Sequence, residues 1–183
     1  MTNQRIEKDL LGELQVPKDA YWGIHTQRAI NNFSISSLKV NPSLIRALAR
    51  VKMACCLANA ETGHLSQEKS QVIQKACLEI AEGLLADQFP LDAMQGGAGT
   101  STNMNINEAI ANRAIELFGG QKGDYRFIHP LEDVNLHQST NDVYPTAIKV
   151  AAIYLLRDLA SAITRLQGAF QEKEKEFAAI VKL

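Results

Sequence analysis

No stretch of this sequence stays apolar long enough to cross a bilayer. Arg, Lys, Glu or Asp interrupts every apolar run well short of the ~20 residues a helical span needs. The opening MTNQRIEKDLLGE also lacks the apolar centre of a secretion signal, so a cytoplasmic protein is expected. Charge of one sign is missing as well: 19 Lys and Arg oppose 20 Asp and Glu, for a net charge of -1. That balance gives no basic field for nucleic acid and no acidic tail, leaving a small molecule or another protein as the partner. Cysteine is scarce. Cys55, Cys56 and Cys77 are odd in number, fall within helical patterns and lack the paired spacing of metal ligands, so they read as reduced packing residues.

What remains is helical periodicity after a less regular start. Arg5 to Pro17, with Gly12 in the middle, suits a short hairpin, and YWGIHTQRAINNF has no clear period. From Asn41 the signal sharpens. Asn41 can cap, Pro42 suits the first helical position, and Leu44, Leu48, Val51, Cys55 and Ala58 form one stripe before Gly63 ends the run. A second helix follows Ser66, with Ile73, Cys77, Ile80 and Leu84 on one face. A third carries Ile106, Ile110, Ala114 and Leu117 to the stop at Gly119 and Gly120. The fold class expected is mainly α.

From Asp142 to about Val181 one helix is expected, with Pro145 in its first turn, where proline is tolerated, and Gly168 inside it. Ile148, Ala152, Leu155, Leu159, Ile163, Leu166 and Phe170 recur at spacings of three and four and make a continuous apolar seam. A helix of about 40 residues is ~60 Å long, more than a small domain's diameter, so it needs partners elsewhere. Its many alanines suit a multi-helix bundle better than a two-stranded zipper. Residues 1–140 then form an N-terminal, mostly helical domain, and 141–183 begin a central bundle. The exposed seam predicts self-association.

Two polar segments carry the chemistry. QGGAGTSTNMNINE, residues 95–108, puts Thr100, Ser101, Thr102 and Asn103 behind Gly96, Gly97 and Gly99 at the start of a helix. Backbone N–H groups there, helped by the helix dipole, can hold a carboxylate or phosphate. The same residues are also the preferred helix caps, and taken alone both readings stand. No Gly-Lys-Ser/Thr follows, and there is no dinucleotide fingerprint. HPLEDVNLHQSTNDVYPTA repeats the arrangement with Gln138, Ser139, Thr140, Asn141 and Asp142 before the long helix. If both starts meet, hydroxyl and amide donors converge without any lysine, which suits a small dicarboxylate. By themselves, Asp142 reads as a helix-start acid and Gln138 as a solvated loop amide.

GGAGTSTNMNINEAIAN and HPLEDVNLHQSTNDVYPTA resemble the first two sequence blocks of the aspartase/fumarase superfamily, and YWGIHTQRAINNF resembles its N-terminal segment. Within that superfamily GTSTN and QSTND are similar to the aspartase branch, where fumarases more often have GTQTN or GTQSN and QSSND. The resemblance implies the fold of that superfamily and the reversible anti elimination of ammonia from L-aspartate to give fumarate, with no organic cofactor. Matching the family pattern, Thr100, Ser139 and Thr140 would hold the β-carboxylate and Asn141 the departing amino group. Ser101 and Asn103 would help or shape the loop.

The family's catalytic base is a serine in a loop of pattern GSSxMPxKxN, which these residues do not contain, and the Thr-His pair of its third block is absent too. The superfamily builds its sites from different subunits of a homotetramer around a long-helix bundle. The chain is therefore expected to end partway through its first core helix, to supply one wall of a site and to be inactive alone. Arg126 and His129 match a second dicarboxylate site of fumarases, but Leu131 and Glu132 stand where that pattern has Asn and Asp, which argues against the site here. His25, in a loop-like stretch, and His64 read as surface residues, and His137 as incidental. The other classes are fumarase or another lyase of the superfamily, with argininosuccinate and adenylosuccinate lyases further off, and a non-catalytic helical interaction module.

Overall fold

A computed structural model describes residues 3–181. Two strands, β1 (Gln4–Asp9) and β2 (Gly12–Pro17), pair antiparallel with Asp9 opposite Gly12, which confirms the expected hairpin. The turn is Leu10 and Leu11, and Gly12, at φ +112°, opens the second strand instead of centring the turn. Five helices follow: α1 (Ile24–Asn32), α2 (Pro42–Glu61), α3 (Gln67–Ala81), α4 (Thr100–Leu117) and α5 (Thr140–Phe177). The fold is mainly α. None of the described helices is long and apolar enough to cross a membrane.

Local signals start α2 and α3 as expected. The Asn41 side chain accepts from the Ser43 N–H at 2.8 Å, and Ser66 from the Lys69 N–H at 3.3 Å. The buried face of α2 is not the expected stripe. Ile45, Leu48, Ala49, Lys52, Cys56 and Asn59 face inward, while Leu44, Val51 and Cys55 are only partly covered and Ala58 is exposed. The apolar count misplaced the face because Lys52 and Asn59 belong to it. On α3, Ile73, Cys77 and Ile80 are buried as expected, whereas Leu84 lies past the helix end and is 55% exposed.

The chain packs around α4, which is buried on nearly all sides and contacts α1, α2, α3 and α5. Ile106, Ile110, Ala114 and Ile115 supply its apolar part, while Asn103, Asn105, Asn107, Glu108 and Asn112 are buried beside them. Those polar groups need partners, and they dictate the surroundings. Asn105 donates to the Gln88 carbonyl, and Asn112 to the Tyr21 carbonyl. Glu108 does most. Its carboxylate accepts from the N–H groups of Gly23, His25 and Thr26 and from the Thr26 hydroxyl, while Glu7 of β1 accepts from Ile24 N–H. Two carboxylates from elsewhere in the chain thus satisfy the start of α1, which has no cap of its own.

Helix α5 begins at Thr140, earlier than expected, and its 38 residues make it about 57 Å long. Pro145 is therefore in the second turn, inside the helix, where it lacks the N–H that would meet the Asn141 carbonyl. Val143, Ala147 and Ala151 pack inward, and α2 is the helix they meet. Beyond them nothing in the described chain covers the seam. The helix stops at Phe177, short of the expected end near Val181, and residues 182–183 lie outside the described ones.

Candidate active-site wall

The loop before α4 is held in an uncommon backbone shape. Gly97, Ala98 and Gly99 all have positive φ, at +78°, +49° and +90°. Alanine is rarely found there, and such strain tends to collect at functional sites. No hydroxyl caps α4: Gly99 is the cap residue. Thr100 Oγ1 turns back to the Gly97 carbonyl at 2.5 Å, and the Gln95 side-chain oxygen takes both the N–H and the hydroxyl of Thr102 at 3.0 Å. Among the described residues the Ser101 N–H has no partner. Capping therefore does not account for these polar residues. Thr100 and Ser101 face a cleft of about 500 Å³ that His25, Arg28, Phe33 and Met104 also line.

The start of α5 is similar. Ser139 caps it, accepting from the Asn141 N–H at 3.2 Å, and the Thr140 N–H is without a partner among the described residues. Ser139, Asn141 and Asp142 are exposed, and Asp142 sits in the first turn, where an acid complements the dipole. The two helix starts meet. Asn103, buried in α4, donates from Nδ2 to Thr140 Oγ1 at 3.1 Å. The absence of a side chain at Gly99 lets the Tyr144 ring of α5 rest on that backbone, and a Cβ there would overlap the ring.

Beneath this junction lies a feature that pattern reading missed. Lys52 of α2 is fully buried, and its Nζ donates to Asn135 Oδ1 at 2.7 Å and to Gln138 Oε1 at 2.9 Å. Asn135 Oδ1 also accepts from Asn103 and from Asn107, each at 3.1 Å. Gln138, expected to be a solvated amide, instead pins the loop by donating to the Val134 carbonyl at 2.9 Å. The lysine lies under the expected donor set, and its hydrogen bonds go to Asn135 and Gln138 and not to Thr100, Ser139 or Thr140. The only sequence signal was a lysine interrupting the face that packs inward.

The histidines divide. His25 is in the first turn of α1, not in a loop. Its Nδ1 lies 3.0 Å from Glu108, and that hydrogen bond raises its pKa above the ordinary value. His137, at φ +57°, contacts Asn59 at 3.0 Å and meets the His64 ring edge-on. Arg126 turns to Asp124, at 2.7 Å on both oxygens, and His129 Nδ1 accepts from the Leu131 and Glu132 N–H groups at 3.2 Å. Each of these last two is engaged locally.

Comparison with known proteins settles the family. The family model described as Lyase matches residues 12–183. The chain belongs to the aspartase/fumarase superfamily of lyases. Among superfamily relatives it is 50% identical to the aspartate ammonia-lyase of a Bacillus species over 182 residues, which covers 100% of the chain and 39% of that protein. It is 47% identical to the Escherichia coli K12 aspartate ammonia-lyase over 184 residues, covering 99% of the chain and 38% of that protein. A solved superfamily structure, the fumarate lyase:delta crystallin of Brucella melitensis, superposes with a TM-score of 0.96 at 50% identity, over 98% of this chain and 42% of that one. The class II fumarase of Schistosoma mansoni gives 0.77 at 37% identity, over 81% of this chain and 31% of that one.

Proposed function

We propose that this chain supplies one wall of the active site of a cytoplasmic carbon–nitrogen lyase, an aspartate ammonia-lyase that converts L-aspartate reversibly to fumarate and ammonia. The observation that carries the reading is the meeting of two polar helix starts at the Asn103–Thr140 hydrogen bond, each with an N–H to spare. The relatives named aspartate ammonia-lyase support the choice of substrate. In this reading residues 1–140 are the N-terminal domain and 141–183 enter a central helical bundle shared by four copies, which bring together site walls from different subunits.

The chemistry needs donors more than it needs charge. A base takes the proton from Cβ, the electron pair flows toward the β-carboxylate as an enediolate, and collapse of that charge expels the amine from Cα as ammonia. Thr100, Ser139 and Thr140 hold the β-carboxylate, and the two free N–H groups and two helix dipoles reinforce them where charge develops. Losing one such donor costs roughly 3–4 kcal/mol in other enzymes. Asn141 meets the amino group, and Ser101 and Asn103 shape the loop. The base comes from a loop outside residues 1–183, so these residues expressed alone turn over no aspartate. No organic cofactor takes part.

The test is ultraviolet detection of fumarate formed from L-aspartate, with L-malate in parallel, by the complete protein that carries this chain. Fumarate from aspartate, lost in Thr100→Ala and Ser139→Ala, is expected. Fumarate from malate alone replaces this reading with a fumarase, and silence with both substrates overturns it.

A further inference from the structure

We propose that Lys52 is a positioning residue, which holds the Ser139–Thr140 helix start in its anion-binding shape through Asn135 and Gln138 and supplies the buried positive charge that a bound dicarboxylate answers. The proposal rests on the dicarboxylate reading of the site given above.

The geometry is a closed loop of bonds under the site. Lys52 Nζ reaches Asn135 Oδ1 and Gln138 Oε1, Asn135 Nδ2 donates to the Gln138 carbonyl at 3.0 Å, and Gln138 immediately precedes Ser139. Asn135 also takes the amide of Asn103, whose Nδ2 continues to Thr140 Oγ1. Every group bridging Lys52 to the site is thus an amide or a hydroxyl. Among the described residues no carboxylate pairs with Lys52, although most basic groups buried this deeply are paired.

The cluster leaves two buried carbonyl oxygens unused. Three N–H donors converge on Asn135 Oδ1, while Asn103 Oδ1 and Asn107 Oδ1 are buried with no partner. Surplus carbonyl oxygens favour a cation, and burial opposes one. Burial is the larger effect, and it brings Lys52 down to about 7. The other titratable groups around it are Cys55 on its own helix and Cys77 on α3, both held as neutral thiols by burial. Helix α4 offers amides, the loop offers Asn135 and Gln138, and the inward face of α5 offers Val143, Ala147 and Ala151. His137 lies farther along α2, against Asn59. Near neutral pH the lysine is poised between its two forms, and a dianion bound between the helix starts must favour the charged one.

Binding of a dicarboxylate should therefore take up a proton. Succinate binding to the complete protein, measured by calorimetry in two buffers of different ionisation enthalpy, should absorb close to one proton at about pH 8 and almost none at about pH 6. Apparent affinity should fall by up to ~10-fold per pH unit above about 7. In Lys52→Met the uptake should vanish and affinity fall at every pH. Lys52→Arg, charged throughout, should keep affinity flat with pH. Asn135→Asp pairs the ammonium with a carboxylate, keeping it charged, and should also abolish the uptake where truncation of the lysine disrupts folding. Uptake that persists in folded Lys52→Met or in Asn135→Asp overturns the proposal. Succinate bound by the wild type without uptake overturns it while leaving the dicarboxylate site intact. No succinate binding at all overturns both.

Discussion

The two ends of α5 are built on opposite plans. Near its start the residues facing inward are small, with Ala147 at 0% and Ala151 at 6% exposure, and the helix lies close against α2. Farther along the side chains are large and apolar, yet Ile163 is 53%, Leu166 56% and Phe170 67% exposed. The first half shares its burial with a polar interior of Asn, Gln, Glu and Lys side chains, whereas the second half is a bare apolar seam. Small residues let the start of α5 lie against α2, and the bulky residues farther along meet no covering surface among the described residues. Polar contacts hold the two helix starts together, and the apolar seam stays uncovered among the described residues.

That contrast predicts unequal costs for the same substitution. Ile110→Ala, in the fully buried centre of α4, should lower unfolding free energy by ~2–5 kcal/mol. Ile163→Ala in the uncovered seam should change it by about 0.5 kcal/mol or less in the isolated chain. Urea denaturation of both variants checks the pair, and equal losses would mean that the seam is already covered, by self-association for example.

A smaller effect is expected where α5 is anchored. Gly99→Ala combines a positive φ with overlap against Tyr144, and should cost about 1–3 kcal/mol and displace the α5 start. Tyr144→Ala in the same chain should recover part of that loss, since the overlap disappears while the backbone strain stays. Thermal unfolding of the single and double variants would show no such recovery if the contact were unimportant.

The smallest concerns the titration of His25. The Glu108 hydrogen bond raises His25 above 6.5, so its stabilising contribution is complete below 6.5 and is lost as pH rises through the elevated value. Lys52, lowered from 10.5 to about 7, acts oppositely: its burial costs most below about 7, and stability recovers between there and 10.5. Comparing His25→Gln with the wild type isolates the first effect. The wild-type advantage in denaturant midpoint should shrink as pH rises above 6.5, and an advantage growing with pH would contradict the pairing.

These contacts also mark what pattern alone can reach. Helices α2, α3 and α4 were legible because their caps and glycine stops are local, as with Asn41 and Ser66, and the long α5 because its seam repeats. The hairpin was legible from its two short runs around a turn. Helix α1 was not, since Glu7 and Glu108 satisfy its start from 17 and 82–85 residues away. The polar helix starts stood out as segments, but their meeting depends on Gly99 packing under Tyr144, a relation between distant residues. Lys52 was hidden for another reason. An apolar stripe is found by leaving charges out, so a lysine on the buried face shifts the apparent phase of the helix.

The most direct test of the account is a double-mutant cycle between Thr100 and Ser139, read as kcat/KM for aspartate in the complete protein. If both hydroxyls hold one carboxylate across the junction, their effects should be non-additive by at least ~1 kcal/mol. Effects that add to within about 0.5 kcal/mol would mean that the two helix starts serve separate purposes, and the shared site would have to be abandoned.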